Sequence, residues 1–272
     1  MTVKYLIKLM LVALIMQPLS SVSAQQKPFV WPHKAKAAIN LAYDDALPSQ
    51  LDNAVPALNR YKLKGTFYVP VGAETIHTRL KEWRKIASKG HELANHSIFH
   101  QCSGSLPGRE WVAVERDLDN LTVAQMRDQI IVANNYLHAI DGKTERTYTP
   151  PCIDLNAGGQ NYIGAISNQF VAIKAKSGGV TPDMQSLDPY AVGVDFPSNV
   201  SGQQLIAIAK EAAAKGTMAN FTFHGIGGDH LSVTKEAHEE LLKYLAENRS
   251  IYWTDTFINI MKYVKVQQNK TP

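Results

Sequence analysis

Two adjacent carboxylates, Asp44 and Asp45, close the run Asn40-Leu41-Ala42-Tyr43. Two histidines four residues apart follow later, in His96-Ser97-Ile98-Phe99-His100. Paired acids at the end of a buried strand are costly unless something positive sits beside them. Imidazoles four apart can face one side of a helical turn or tight loop. One carboxylate with two imidazoles is a facial metal-ligand set that leaves positions open for water. The second carboxylate is then free to act as a base on that water, so the pattern points to metal-assisted hydrolysis. Each feature alone has a blander reading. Asp-Asp can cap a turn or helix, His-x-x-x-His can decorate a helix surface, and His224 can be a hydrogen-bonded core histidine. What favours the site is their joint placement.

That placement rests on the elements around them. Strands are expected at 37–42, 66–69, 92–95, up to Tyr148, and at 170–174, 218–223 and 251–254. Helices are expected at 51–61, 80–89, 122–140, 201–216, 235–248 and 256–264. Thr122 with Gln125 and Ser201 with Gln204 read as capping boxes, and Gly142 and Gly216 as stops. Repeated β-then-α units imply a parallel sheet. Asp44, His96, Pro150 and His224 each follow an expected strand. In a β/α barrel such strand ends converge on the face where active sites sit. No repeat, low-complexity tract or linker interrupts the chain, so a single domain over 25–272 is expected, with a polar tail from Gln267.

Residues 1–24 read as a signal peptide. Lys4 and Lys8 form the positive region, 9–16 is an apolar core too short to span a bilayer, and Val22-Ser23-Ala24 is a cleavage site. An N-terminal anchor helix is the alternative. Cleavage after Ala24 implies a periplasmic or secreted protein. Without the two leader lysines, 26 basic residues face 24 acidic ones, a net charge of +2 that argues against a nucleic-acid partner. No later segment could span a membrane, and a monomer is expected. Cys102 and Cys152 are the two cysteines. An even count in an oxidising compartment permits a disulfide, with free thiols or a metal-ligating Cys as alternatives.

The chain resembles the polysaccharide deacetylases, carbohydrate esterase family four or the NodB homology domain. The first motif is matched by Leu41-Ala42-Tyr43-Asp44-Asp45, with Ala46 where glycine is usual. Residues 90–100, Gly-His-Glu-Leu-Ala-Asn-His-Ser-Ile-Phe-His, match the second and most specific motif. Thr149-Pro150-Pro151-Cys152 resembles the third, Asp195-Phe196 faintly echoes the fourth, and Phe221-Thr222-Phe223-His224-Gly225 resembles the fifth. The resemblance implies a distorted (β/α)7-type barrel and hydrolysis of an acetyl group on a carbohydrate.

It assigns Asp45, His96 and His100 as ligands of one divalent metal, for which Zn2+ is expected and Co2+ or Ni2+ are alternatives. It makes Asp44 the general base, His224 the general acid and the backbone N–H of Cys152 an oxyanion donor. Motifs two and three must meet around one metal, so the resemblance also makes Cys102 and Cys152 neighbours and a disulfide between them the expectation. Pro151, Asp229 and His230 are candidates to touch substrate. His91 and Glu92 read as strand and supporting residues, and Trp31, Trp83, Trp111 and Trp253 as core.

Thr149 stands where the family carries an arginine that pairs with the base. The nearest arginine, Arg146, would point elsewhere on a regular strand. This departure tilts the expectation towards an O-acetyl ester, such as acetylated xylan. N-acetylglucosamine in peptidoglycan or chitooligosaccharides is the alternative. The rivals are a non-catalytic carbohydrate-binding protein of the same fold and a two-carboxylate glycosidase. Adjacent Asp44 and Asp45 cannot flank a sugar as the latter requires.

Overall fold

A computed structural model of the chain describes residues 29–270. The leader read at 1–24 lies outside the described residues. Strands β1 (Ala37–Asp44), β2 (Thr66–Val69), β3 (Glu92–Asn95) and β4 (Thr147–Tyr148) are followed by a small hairpin, β5 (Asn156–Ala157) and β6 (Gln160–Asn161). Then come β7 (Ala172–Ser177), β8 (Val192–Val194), β9 (Met218–Phe223) and β10 (Tyr252–Asp255). The helices are α1 (Val55–Arg60), α2 (Glu74–Thr78), α3 (Leu80–Ser88), α4 (Val123–Asp141), α5 (Ile163–Ile166), α6 (Gly202–Lys215), α7 (Lys235–Glu247) and α8 (Phe257–Gln268).

Seven parallel strands run round a nearly closed barrel in the order β1-β2-β3-β4-β7-β8-β9. The gap between β8 and β9 is stitched by Asp195, whose N–H reaches Asn220 O at 3.0 Å and whose carbonyl accepts from Thr222 N at 2.8 Å. β9 pairs with β1 along Ala38 to Tyr43, while β10 and β2 take the start and the end of its other edge. The distorted barrel is therefore seven-stranded, with β10 as an outer addition.

Alternation along the strands sorts the residues. Ile39, Leu41 and Tyr43 pack outward in the main core, whereas Ala38 and Ala42 pack in a second cluster with Tyr68, Ala94 and Ala172. The same phase carries Asp44, His96 and His224 to the barrel mouth. Both expected capping boxes form, and Gly142 and Gly216 stop α4 and α6 with φ of 72° and 71°.

Some elements differ from expectation. The helix expected at 51–61 opens with a wide turn, Gln50–Ala54, before α1. β7 starts and ends later than 170–174, and α8 runs four residues beyond Val264. Short β8 and α2 were not expected from the pattern at all.

Candidate metal centre

The second histidine motif folds as a tight turn after β3. Ser97 organises it: its Oγ accepts from His100 N at 3.2 Å, and its own N–H is held by Asn95 Oδ1 at 2.7 Å. The loop after β2 backs this turn through Val71 N to Ser97 O and Gly72 N to Ile98 O. Only glycine fits at 72, since a Cβ there would sit 2.7 Å from Ile98 O. The two imidazoles thereby converge on Asp45. His96 Nε2 lies 3.4 Å and His100 Nε2 3.0 Å from Asp45 Oδ1.

These residues fit a divalent cation. The three donor atoms lie within 4.8 Å of one another. His96 donates Nδ1–H to Thr149 O at 2.6 Å, which leaves its Nε2 lone pair facing the carboxylates. Asp45 Oδ1 is buried and has no hydrogen-bond partner. The other oxygen, Oδ2, is 2.8 Å from His230 Nε2 and 3.8 Å from His224 Nε2. Burial raises the pKa of Asp45, but the imidazoles of His100, His230 and His96 around it outweigh that and hold the carboxyl well below the ordinary range. Burial opposes charge on His96, yet Asp44 and Asp45 together raise it.

Asp44 is almost fully buried, and its Oδ1 has no partner. Burial pushes its pKa up to about 6, against the pull of His96, Lys174 and His100. Arg146 does point away: it is buried against Asp141 at 2.6 Å. Thr149 contributes its carbonyl, which aims His96. The nearby cation below Asp44 is Lys174, which donates to Asn40 Oδ1 at 2.7 Å and Thr222 Oγ1 at 3.3 Å.

His224 stands opposite, with Nδ1 buried and unpartnered. Burial, then the neighbouring His230, His96 and His100, lowers it to about 4, against the pull of Asp45. The Phe196 ring lies 5.9 Å from it. Gln50 ties the two strand ends together, donating from Nε2 to the carbonyls of both Asp44 and His224. Sequence reasoning missed Gln50, because a glutamine in a first helical turn carries no signal for a tie across the barrel mouth.

Cys102 and Cys152 are bonded, with Cα atoms 5.9 Å apart. The bond removes both sulfurs from any ligand set and fixes the third-motif loop to the metal turn. Cys152 and Ile153 have φ of 57° and 58°. The N–H groups of Ile153 and Asp154 are spent on Pro150 O and Pro151 O, while Cys152 lines the cleft. Of twelve non-glycine residues with positive φ among the described residues, eight lie in these loops, at 45, 46, 97, 100, 152, 153, 229 and 231. Such strain concentrates where surrounding structure holds a site in shape.

A cleft of about 790 Å³ opens over the centre. Asp44, Asp45, His96, His100, His224 and His230 line it. Pro151 is buried behind the wall, and Asp229 faces elsewhere, accepting from Ser49 N at 2.9 Å. His91 and Glu92 are buried away from the metal centre: His91 accepts from Gly65 N, and Glu92 from Thr66 and Thr147. Trp31 and Trp83 are core, but Trp111 is 62% exposed on the cleft rim, against the expectation that it packs inside. Rim exposure cannot be read from a tryptophan in a loop without knowing what the loop covers.

A nearly closed barrel of seven parallel strands with Asp45, His96 and His100 gathered at its mouth defines the class of fold. Residues 32–164 match the model of the polysaccharide deacetylase family, and the chain belongs to that family. It is 24% identical over 113 residues to the uncharacterized protein YlxY of Bacillus subtilis (strain 168), 42% of this chain but 29% of that protein's length. Among solved structures it is similar to a protein from Mycobacterium smegmatis assigned to the polysaccharide deacetylases, with TM-score 0.63 and 15% identity over 89% of this chain and 94% of that one. It is also similar to a family 4 acetyl xylan esterase from Clostridium thermocellum holding a cobalt ion, with TM-score 0.52 and 18% identity over 85% and 96%. A peptidoglycan N-acetylglucosamine deacetylase shares the fold as well, at TM-score 0.50 and 17% identity over 82% and 87%.

Proposed function

We propose that the protein is an exported, metal-dependent carbohydrate deacetylase that removes O-acetyl esters from a polysaccharide or oligosaccharide. The observation that carries this reading is the convergence of Asp45, His96 and His100 beside the unpartnered Oδ1 of Asp44, with His224 across the same cleft. Asp45, His96 and His100 hold one divalent ion. Zinc suits the imidazole–carboxylate set, and the cobalt ion of the similar esterase supports a site open to more than one metal. When bound, such an ion polarises the acetyl carbonyl and acidifies water.

Asp44 takes the proton from the attacking water, and its buried, unpaired Oδ1 is the acceptor. The Cys152 N–H donates to the oxyanion, held in place by the disulfide and the strained loop. His224 protonates the leaving oxygen, and Gln50 keeps its strand end in register with that of Asp44. An ester fits this set better than an amide. Nitrogen must be protonated to depart, and the environment of His224 disfavours the imidazolium. Export, cleavage after Ala24 and a monomeric state belong to the same proposal.

The test is acetate release from acetylated xylan, acetylated chitooligosaccharides and peptidoglycan by one preparation, with His224→Ala beside it. The ester is expected to be the better substrate. His224→Ala should slow the amide more than an aryl acetate, because a phenolate departs unaided. Equal slowing of both would remove His224 from the acid role. Release from the amides alone would turn the reading to N-acetylglucosamine. No release from any of them would favour a carbohydrate-binding protein.

A further inference from the structure

The loop between Cys102 and α4 is closed by its own set of hydrogen bonds, and none of its residues belongs to the Asp45, His96 and His100 cluster. Asp117 accepts from Gly104 N at 2.8 Å and Asp119 N at 2.9 Å. Asp119 accepts from Ser103 Oγ and Ser105 N, and Leu118 N returns to Cys102 O. Gly104 leaves room for the Asp117 carboxylate, since a Cβ there would sit 2.7 Å from its Oδ2 and displace it. Asp117 and Asp119 are thus consumed internally, while Glu110 and Glu115 of the same loop are exposed and do not line the cleft. What it presents to the cleft is Arg109, Trp111 and Arg116.

The two arginines differ. Arg109 is paired with Asp154 at 3.2 Å. Arg116 lies over the face of Phe99, its guanidinium carbon 4.0 Å from the ring centroid, and among the described residues no carboxylate lies within 4.0 Å of it. Phe99 sits between the two metal-turn histidines, directly before His100. A stacked guanidinium loses little freedom on binding and keeps its planar fork for a bidentate anion. Apart from Asp44 and Asp45, which the centre uses, no acid lines this cleft. Trp111 adds an exposed aromatic face of the kind a sugar ring covers.

We infer that Arg116, stacked on Phe99 and flanked by Trp111, forms a carboxylate-binding subsite, and that the substrate is an O-acetylated polyuronate. This rests on the deacetylase reading for the acetyl group but not for the anion. A neutral chain such as xylan leaves Arg116 facing apolar and aromatic surface with no counter-ion. A uronate supplies one carboxylate per sugar, so a chain of them lying in the cleft brings an anion to the wall that Arg116 lines.

The test separates binding from turnover. Titration calorimetry with a non-acetylated polyuronate oligosaccharide and a neutral xylo-oligosaccharide of equal length is run on the metal-loaded protein. Preference for the polyuronate is expected, weakening with added salt. Arg116→Gln should weaken it by about tenfold, as for loss of a charge-assisted bond, and Arg116→Lys by less. Lys210→Gln, far from the cleft, should change nothing. Arg116 is exposed, so its variants are expected to fold, which a thermal melt checks. Equal affinity for both sugars, or none lost in Arg116→Gln, overturns the subsite. So does preference for peptidoglycan strands over polyuronate. If the polyuronate binds through Arg116 but no acetylated substrate is turned over, the subsite stands and the deacetylase reading falls. Acetate release from neutral esters without polyuronate preference leaves the deacetylase and removes the subsite.

Discussion

The barrel buries two groups of polar residues that differ in one respect. In the interior, Glu92 accepts from Thr66, Thr147 and Ile258 N, while Lys174 donates to Asn40 and Thr222. Every charge there has several partners, as buried charges require. At the mouth, one layer higher on the same strands, Asp44 Oδ1, Asp45 Oδ1 and His224 Nδ1 have none, and the backbone around them is strained. The interior network is complete without help from outside. The mouth is left short of partners in the way a site built for an ion and a substrate must be. Between these two groups, satisfaction of the polar atoms separates what holds the barrel together from what its mouth offers.

Substitutions on the two sides sharpen the contrast. Asp44→Asn should lower acetate release by about 10²–10⁴-fold, while metal still binds and the denaturation midpoint holds or rises, because a carboxylate whose charge is opposed by its burial is removed. Glu92→Ala should do the opposite. It strands three buried donors and should cost about 3–5 kcal/mol in urea unfolding, and any folded fraction should keep its turnover. A stable Glu92→Ala, or an unstable Asp44→Asn, would break the comparison.

A smaller effect comes from the outer face of the barrel. His238 is buried, and its Nε2 is 2.8 Å from the Tyr43 hydroxyl. Burial lowers it to about 3, while an unfolded histidine titrates near ~6.5. The unfolded chain thus takes up the proton first on acidification. The stability is fully present above pH ~6.5 and is lost as pH falls from there towards the folded value. His91, lowered by burial to about 4, has the same sign. The melting temperature should decline as pH is lowered from 6.5 to 4, and His238→Gln should flatten that decline. An unchanged slope in the variant would exclude His238 as a source.

The motif residues were legible in sequence because alternation places them. Residues 40, 42 and 44 share a face, as do 92, 94 and 96, and 220, 222 and 224, so apolar strands followed by Asp or His point to one mouth. The capping boxes were legible because they are local. The partners supplied by distant chain were not. Lys174 meets residues 134 and 48 positions away, and Gln50 reaches His224 across 174. β8, three residues long, is too short to show alternation. The loop carrying Arg116 and Trp111 has no periodicity at all, and its order comes from Asp117, Asp119 and Asp154 closing on backbone N–H groups that only the fold brings near.

The central claim is that Asp45, His96 and His100 hold a divalent ion on which hydrolysis depends. Elemental analysis of dialysed protein, with acetate release measured on the same samples, tests it directly. The expected result is one ion per chain in the wild type and none in a folded His96→Ala. Chelation should abolish release, and zinc or cobalt should restore it. Full activity in metal-free protein, or an ion retained at wild-type stoichiometry in His96→Ala, would contradict the account.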